Sequence, residues 1–247
     1  MRTIRAVLRM TAFVLGTLAI YYYWFFTRPV RRDPAEARRH TFLRWSRYFR
    51  WNAGMKLVVK GTPPPPPFFL VSNHLSYTDI AVLRLAAEGV FVAKQDIESW
   101  PVAGKIIADM GTVFIDRENR RDIPRAGELI DARLDAGDGV IIFPEGTSTR
   151  GEVVLPFNSS FFEYAARRNI AVYYAAVSYS TPPGELPADT VCWWDDISFF
   201  AHMFRLFSVK SWTATVTFGS EPITSTDRKL LARELHERVS EIFKPVA

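Results

Sequence analysis

Residues 71–80, VSNHLSYTDI, place a histidine and an aspartate five positions apart at the end of an apolar run. An imidazole changes its charge near neutral pH, and a carboxylate can hold one ring nitrogen while the other accepts a proton. On a regular helix five residues turn through about 140°, so His74 and Asp79 can meet only if His74 lies in a loop and the helix begins after it. With that arrangement, the spacing is compatible with a general base and the carboxylate that orients it.

The same stretch also has a purely structural explanation. Ser76 and Asp79 have the spacing of a capping box, in which two side chains satisfy N–H groups at the start of a helix. This accounts for Asp79 but not for His74, because a histidine between a buried strand and a helix is costly without a partner. Both explanations start the helix at Ser76, and the spacing alone leaves both open.

Two further polar stretches each follow a β-type run. In GTVFIDRENRR, residues 111–121, Arg117 follows a strand end, a position that by itself suits a solvated loop charge. In VIIFPEGTSTRG, residues 140–151, Gly146 permits close approach of the backbone to a ligand, and the hydroxyl groups and Arg150 can hold an oxyanion. The latter stretch lacks the G-x-x-x-x-G-K-[ST] spacing of a P-loop, so the sequence does not support binding of ATP or GTP.

Strand-type and helix-type segments alternate along most of the chain. After MKLVVK and FFLVS, β-type runs lie at 90–93, 111–115, 139–143, 171–178 and 213–218. Helical candidates lie at 77–88, 100–109, 123–136, 159–168 and 226–243. The alternation predicts an α/β domain with a largely parallel central sheet flanked by helices. In such sheets ligands bind beyond the carboxyl ends of the strands, where the polar stretches fall.

The basic charge is concentrated near the N-terminus. Residues 1–50 contain eleven arginines, no lysine and two acidic residues, whereas the remaining 197 residues contain 20 basic and 24 acidic ones. Between Arg9 and Arg28 lie 18 uncharged residues, MTAFVLGTLAIYYYWFFT, close to the minimum for spanning a bilayer. No small-x-small cleavage site follows, which disfavours a signal peptide, and the flanking arginines disfavour a buried core helix. The length and composition of this segment predict a membrane anchor.

The next segment, AEARRHTFLRWSRYFRWNAG at 35–54, predicts a helix in the membrane interface, with rings on one face and arginines in a neighbouring stripe. The rings are those of Phe42, Trp45 and Phe49, and the arginines are Arg44, Arg47 and Arg50. Binding of nucleic acid is disfavoured, because the stripe directly follows a hydrophobic segment. More arginines follow the apolar run than precede it, which places the rest of the chain on the cytoplasmic side, at the inner membrane if the source is bacterial.

These features divide the chain into an N-terminal membrane-anchoring helical segment, residues 1–56, and a second domain, residues 57–247. Pro63–Pro67 suit a stiff connector. The single cysteine, Cys192, excludes a disulfide framework, and no metal-ligand spacing occurs, so no metal is predicted. His202, in an aromatic patch, is the main rival of His74 as a base, but core packing or membrane contact explains it more simply.

In order and spacing the three loops resemble those of the glycerolipid acyltransferase family, whose best-known type is 1-acylglycerol-3-phosphate acyltransferase. The resemblance covers roughly residues 57–220. It rests on the blocks Asn73-His74-x-x-x-x-Asp79, Gly111-Thr-Val-Phe-Ile-Asp-Arg117 and Phe143-Pro-Glu-Gly-Thr147. It implies that the catalytic pair is His74 and Asp79. It implies substrate binding by Lys94, Arg117, Glu145, Gly146 and Thr147.

The function implied by the resemblance is transfer of a fatty acyl group from acyl-CoA or acyl-carrier protein to a lysophospholipid in a membrane, without a cofactor. The acceptor expected first is 1-acylglycerol-3-phosphate, which would give phosphatidic acid. Two departures from the family pattern occur, Pro156-Phe157-Asn158 in place of Pro-Phe-Lys and Tyr174-Ala175 in place of Pro-Val. Because a cation is missing near the acceptor site, another lysolipid, such as lyso-ornithine lipid, is an alternative acceptor.

Two other functions compete with acyl transfer. A hydrolase is disfavoured, because the chain contains no G-x-S-x-G nucleophile elbow. A catalytically silent lipid-binding membrane scaffold, which would bind anionic lipid through its arginine stripe, is the alternative from a different class.

Overall fold

The computed structural model describes residues 1–116 and 122–246. Its strands are β1 (Met55–Lys60), β2 (Phe69–Ser72), β3 (Gly89–Lys94), β4 (Val113–Ile115), β5 (Gly139–Ile142), β6 (Val172–Ser180) and β7 (Trp212–Phe218). They form a seven-stranded sheet in the order β1-β7-β6-β2-β5-β3-β4. Among these described strands, only β6 and β7 pair in antiparallel fashion; the other neighbouring pairs are parallel. The predicted α/β fold with a largely parallel sheet is confirmed.

The α-helices are α1 (Arg2–Thr27), α2 (Pro34–Asn52), α3 (Thr78–Ala87), α4 (Ala103–Asp109), α5 (Asp122–Asp135), α6 (Glu163–Arg168), α7 (Pro187–Thr190), α8 (Phe199–Ser208) and α9 (Arg228–Ile242). The predicted helices are present with small shifts at their ends, except that 159–168 is divided between a 3₁₀ turn and α6. Helix α8 was not predicted, because its four phenylalanines favour strands as much as helices.

Helices cover both faces of the sheet. On one face, α1, α2, α3 and α8 pack over a core that contains Val177 and Tyr179 of β6. On the other face, α5, α6 and α9 pack over a core that contains Tyr174 and Ala176 of the same strand. This division follows from the alternation of side chains along a strand. It places the Tyr179 side chain on the same side of the sheet as α3.

Helix α1 packs along α2 and α8 and is attached to the domain near both of its ends. Near its start, Arg9 donates to the carbonyl oxygen of Val209 at 2.6 Å, and near its end Tyr21 donates to Asp109 at 2.6 Å. Its outward face is apolar, with Leu15 63% and Phe26 73% exposed. The segment Arg2–Val30 meets the length and composition of a membrane span.

The face of α2 that carries aromatic rings does not face lipid. Phe42 and Phe49 are buried in the protein core, because α1 and the sheet cover this side of the helix. The stripe of Arg44, Arg47 and Arg50 is exposed, as a helix in contact with a membrane surface requires. The prediction for this helix is therefore wrong for its aromatic face. The domain boundary predicted after residue 56 falls within β1.

Candidate active site

The loops that follow β2 and β5 meet at the carboxyl edge of the sheet, because the two strands are neighbours and parallel. The Thr149 N–H, in the loop after β5, donates to the carbonyl oxygen of His74 at 3.0 Å. Asn73, directly after β2, exchanges two hydrogen bonds with the backbone of Val177 in β6. The start of the His74 loop is thus fixed from both neighbouring strands.

His74 and Asp79 are in direct contact. The Nδ1 atom of His74 lies 2.7 Å from Oδ2 of Asp79. The Asp79 carboxylate is fully buried, whereas the side chain of His74 is 22% exposed. An ionised carboxylate can only accept, so we assign the proton to Nδ1, which leaves Nε2 free to accept a proton. The geometry is that of an oriented base with access to a ligand.

Asp79 also caps the start of α3. Its Oδ2 accepts from the backbone N–H groups of Leu75 at 2.8 Å and Ser76 at 3.1 Å. The bond from Ser76 is the reciprocal half of a capping box. The structural and the catalytic explanations of this residue are therefore compatible, since one carboxylate oxygen serves both the helix start and the imidazole.

The His74 ring is held in place by a second aromatic ring that the sequence did not indicate. It stacks on Phe143, directly after β5, with ring centroids 4.2 Å apart and planes inclined by 16°. Phe143 in turn lies parallel to Phe91 of β3, with centroids 6.0 Å apart. Stacking on a buried ring restricts rotation of the imidazole, which favours the bond to Asp79.

Glu145 contacts the backbone of the His74 loop. Its Oε1 accepts from the His74 N–H at 2.6 Å, and its Oε2 accepts from the Leu155 N–H at 2.9 Å. Burial raises the pKa of Glu145 to about 7. The carboxylate therefore joins the loop after β2 to the loop after β5 and fixes the backbone at His74. Its predicted role in acceptor binding remains a prediction.

The other predicted substrate-binding residues occupy different positions. Gly146, with φ +80°, forms the turn after Glu145, and Thr147 is exposed in the same loop. Lys94, at the end of β3, forms an ion pair with Asp96 at 2.5 Å. Arg117 lies outside the described residues.

A family model described as Acyltransferase matches residues 56–179, which contain both His74 and Glu145. The chain belongs to the acyltransferase family. It is therefore an enzyme that transfers acyl groups, as predicted from its motifs.

Relatives of two kinds are similar to this acyltransferase. A lyso-ornithine lipid O-acyltransferase from Brucella abortus (strain 2308) is 34% identical over 192 residues, which cover 72% of each chain. One from Rhizobium meliloti (strain 1021) is 29% identical, with 95% of this chain and 82% of the relative covered. A 1-acyl-sn-glycerol-3-phosphate acyltransferase from Neisseria gonorrhoeae is 32% identical, with 74% of this chain and 72% of the relative covered.

A solved structure supports the fold. The 1-acyl-sn-glycerophosphate acyltransferase PlsC from Thermotoga maritima superposes with a TM-score of 0.68 at 24% identity, covering 98% of this chain and 97% of that one. At this identity the likeness concerns the fold, and it includes the region of α1 and α2 because nearly the whole chain is covered.

An aromatic cluster lies beside the His74 loop of the acyltransferase. Tyr77 makes edge contacts with the rings of Trp193, Phe199 and His202. Nδ1 of His202 lies 3.1 Å from the Tyr77 hydroxyl, and burial lowers the pKa of His202 to about 4. This histidine is a neutral core residue, which agrees with the simpler explanation of its position.

The two departures from the family pattern have structural roles here. Asn158 Oδ1 accepts from the Ser160 N–H at 3.0 Å and so caps the 3₁₀ turn before α6. Its own N–H donates to the carbonyl oxygen of Pro144, next to Glu145. Ala175 pairs with Ser72 at the end of β2. Among residues 1–116 and 122–246, no three His, Cys, Asp or Glu side chains converge as metal ligands.

Proposed function

We propose that this acyltransferase moves a fatty acyl group from acyl-CoA or acyl-carrier protein to a free hydroxyl group of a lysolipid, with His74 as the base. The observation that carries the proposal is the 2.7 Å contact between buried Asp79 and the partly exposed His74 ring. A hydroxyl group has a pKa far above 7, so a base within hydrogen-bond reach is needed to activate it at neutral pH.

The reaction follows from this geometry. Nε2 of His74 takes the hydroxyl proton as the oxygen attacks the thioester carbonyl carbon. The tetrahedral intermediate then expels the thiolate, which takes the proton back from the imidazolium, so that an ester and a free thiol are formed. Asp79 holds the ring in the required tautomer and stabilises the imidazolium. No cofactor is required for this sequence of steps.

The oxyanion that develops during the reaction needs hydrogen-bond donors other than the backbone N–H groups at the start of the His74 loop. The N–H group of His74 donates to Glu145, and those of Leu75 and Ser76 donate to Asp79. These three groups are therefore engaged before substrate binds. We assign stabilisation of the oxyanion to other groups at the site, which must point at the position of the charge.

The first candidate acceptor is 1-acylglycerol-3-phosphate, which would yield phosphatidic acid. The Neisseria relative with this activity in its name supports it. Two blocks would bind the glycerol phosphate, as in the family: 111–117 through Arg117, and 143–147 through Glu145, Gly146 and Thr147.

The second candidate acceptor is lyso-ornithine lipid. Two observations favour it: the Brucella and Rhizobium relatives carry this name, and Asn158 stands where many members have a lysine. An acceptor without a phosphate does not require that cation.

Access to a lipid acceptor is explained by membrane contact through residues 1–56. Helix α1 would place its exposed apolar face, which includes Leu15 and Phe26, in the lipid, while the exposed arginines of α2 contact lipid phosphates. Residues 57–247 would form the catalytic domain on the cytoplasmic side. The partners are membrane lipids, the lysolipid and the acyl donor, with no role for nucleic acid.

The test combines a substrate panel with one pair of variants. The purified full chain is incubated with acyl-CoA or acyl-carrier protein and with 1-acylglycerol-3-phosphate or lyso-ornithine lipid, and products are identified by mass. His74→Ala should lower transfer by about 10³-fold or more, as expected for loss of a central base. His40→Ala, at an exposed position of α2, is the control. Acyl release without an acceptor, or full activity of His74→Ala, would refute the proposal.

A further inference from the structure

Asp79 has a fourth hydrogen-bond donor that its sequence neighbourhood does not reveal. The hydroxyl group of Tyr179, in β6, donates to Oδ1 of Asp79, the oxygen that does not contact His74. Tyr179 is itself 4% exposed, and its ring packs edge-on against Trp212 with centroids 5.3 Å apart. The phenol is thus held rigidly on the buried side of the catalytic pair.

The direction of this bond is fixed by the groups involved. An ionised carboxylate cannot donate, so the single phenol proton must point to Asp79. The Tyr179 oxygen then accepts from the Thr78 hydroxyl, which lies 3.0 Å away. Burial, and then the Asp79 charge, raise the pKa of Tyr179 well above its ordinary value, so the phenol keeps its proton. The groups form one chain of hydrogen bonds, from Thr78 through Tyr179 and Asp79 to His74.

We propose that Tyr179 is a positioning residue for acyl transfer, whose hydrogen bond to Asp79 sets how strongly that carboxylate holds the His74 ring. This inference rests on the proposed function of His74. The phenol withdraws negative charge from Asp79 and so weakens its hold on an imidazolium. Without the phenol, the buried carboxylate becomes a stronger acceptor, the imidazolium is favoured, and the neutral base is available only at higher pH.

Other groups around the pair also respond to pH and must be separated from this effect. Glu145, from the loop after β5, titrates near neutral pH and contacts the His74 backbone. Burial, and then the charges of Asp79 and Asp189, raise the pKa of the Cys192 thiol, after α7, far above the working range. The comparison is therefore repeated in a Glu145→Gln background, in which the titration of this carboxylate is absent.

The first measurement is the pH profile of kcat/KM for Tyr179→Phe in the full chain. The acid limb should move to higher pH by about half a unit to one unit. The plateau should fall less than about tenfold, with KM for both substrates unchanged. Tyr173→Phe, the same substitution on the same face of β6, should leave the profile unchanged. Thr78→Val should move the limb in the same direction by less.

The second measurement does not depend on activity. In protein labelled with ¹⁵N-histidine, the proton on Nδ1 of His74, assigned with His74→Ala, should move further downfield in Tyr179→Phe and remain in place in Tyr173→Phe. A uniform loss of activity at every pH, with an unmoved limb and an unmoved resonance, would show a merely structural role and overturn the proposal. If Tyr179→Phe fails to fold, an unmoved limb in Thr78→Val overturns it. If His74 were not the base, His74→Ala would still transfer acyl groups. The Nδ1 proton resonance of His74 would then still move in Tyr179→Phe.

Discussion

Two buried carboxylates, Asp79 and Asp138, lie at opposite ends of the sheet and have different kinds of partner. Asp79, 0% exposed, follows β2 at the carboxyl end and accepts from neutral donors and from an imidazole. Asp138, 1% exposed, precedes β5 at the amino end and is paired with Arg38, while Arg39 lies 3.6 Å away. The partner of Asp79 can exchange a proton, whereas guanidinium groups stay charged at any physiological pH.

Two carboxylates with similar burial can thus serve different functions, because their partners differ. Around Asp138, Arg38 also donates to the Met110 carbonyl oxygen at 3.1 Å, so that α2 is attached to the segments that precede β4 and β5. Such a pair holds elements together and has no proton to transfer. In the part of the chain that the structure describes, hydrogen bonds alone balance the charge of Asp79, and its imidazole partner has a free nitrogen. Chemistry is expected at the first carboxylate and stability at the second.

The largest expected effect comes from Asp79→Asn. The amide keeps the size of the side chain but presents a donor or a weaker acceptor to His74, so the ring is held in the wrong tautomer or not held. We expect kcat to fall by about 10³- to 10⁴-fold with KM little changed. Steady-state kinetics on folded protein measure this. A loss of less than tenfold would show that the two carboxylates do not differ in the way described.

The second effect should appear in stability. Asp138→Asn leaves Arg38 buried without its counter-charge, so we expect the free energy of unfolding to fall by about 3–5 kcal/mol. The kcat of the molecules that remain folded should stay within a few-fold of the parent. Urea unfolding of detergent-solubilised protein provides the measurement. Asp135→Asn, exposed at the end of α5, is the control. Equal stability of the two variants would contradict the structural role of Asp138.

A third carboxylate, that of the partly buried Glu145, accepts hydrogen bonds from two backbone N–H groups. Its pKa in the folded protein is raised from 4.5 to about 7, so the folded state retains a proton that the unfolded state releases between these values. The contribution of this group to the free energy of unfolding, at most about 3 kcal/mol, is therefore fully present below about pH 4.5. It is lost as the pH rises through 7. Glu145→Gln should remove this decline. Unfolding curves of parent and variant at pH 5 and pH 8 test it, and parallel pH dependence would refute it.

The smallest effect concerns the outward side of α2, opposite to Arg38. Arg47→Gln should weaken binding to vesicles that contain anionic lipid by about fivefold, because one basic residue near the surface is lost. Arg233→Gln, exposed on α9 at the other face of the sheet, should not. Co-sedimentation with vesicles measures both. An equal loss in the two variants would indicate a general effect of charge rather than a membrane-facing stripe.

Local sequence patterns predicted the elements and the central pair of the site. Period-two and helical patterns located the strands and most helices, and the five-residue spacing with Ser76 between predicted that His74 and Asp79 would meet. The groups that support this pair come from distant strands. Tyr179 is a hundred positions from Asp79, and no local rule indicates that its side chain points at a carboxylate.

The same limitation explains the error in α2. A helical pattern shows that Phe42 and Phe49 share a face but not which surface covers it, and the protein core and lipid are equally apolar. The burial of Arg38 is likewise not visible in the helical pattern, because its partner Asp138 lies one hundred positions later in the chain.

The attachment of α1 has a practical consequence for handling the protein. Ala6, Tyr21 and Trp24 are part of the same core as Phe49 and Phe207, so cutting the helix away would expose the rings beneath it to water. A water-soluble version is therefore better sought by replacing outward residues such as Leu15 and Phe26 with polar ones while the inward face is left intact.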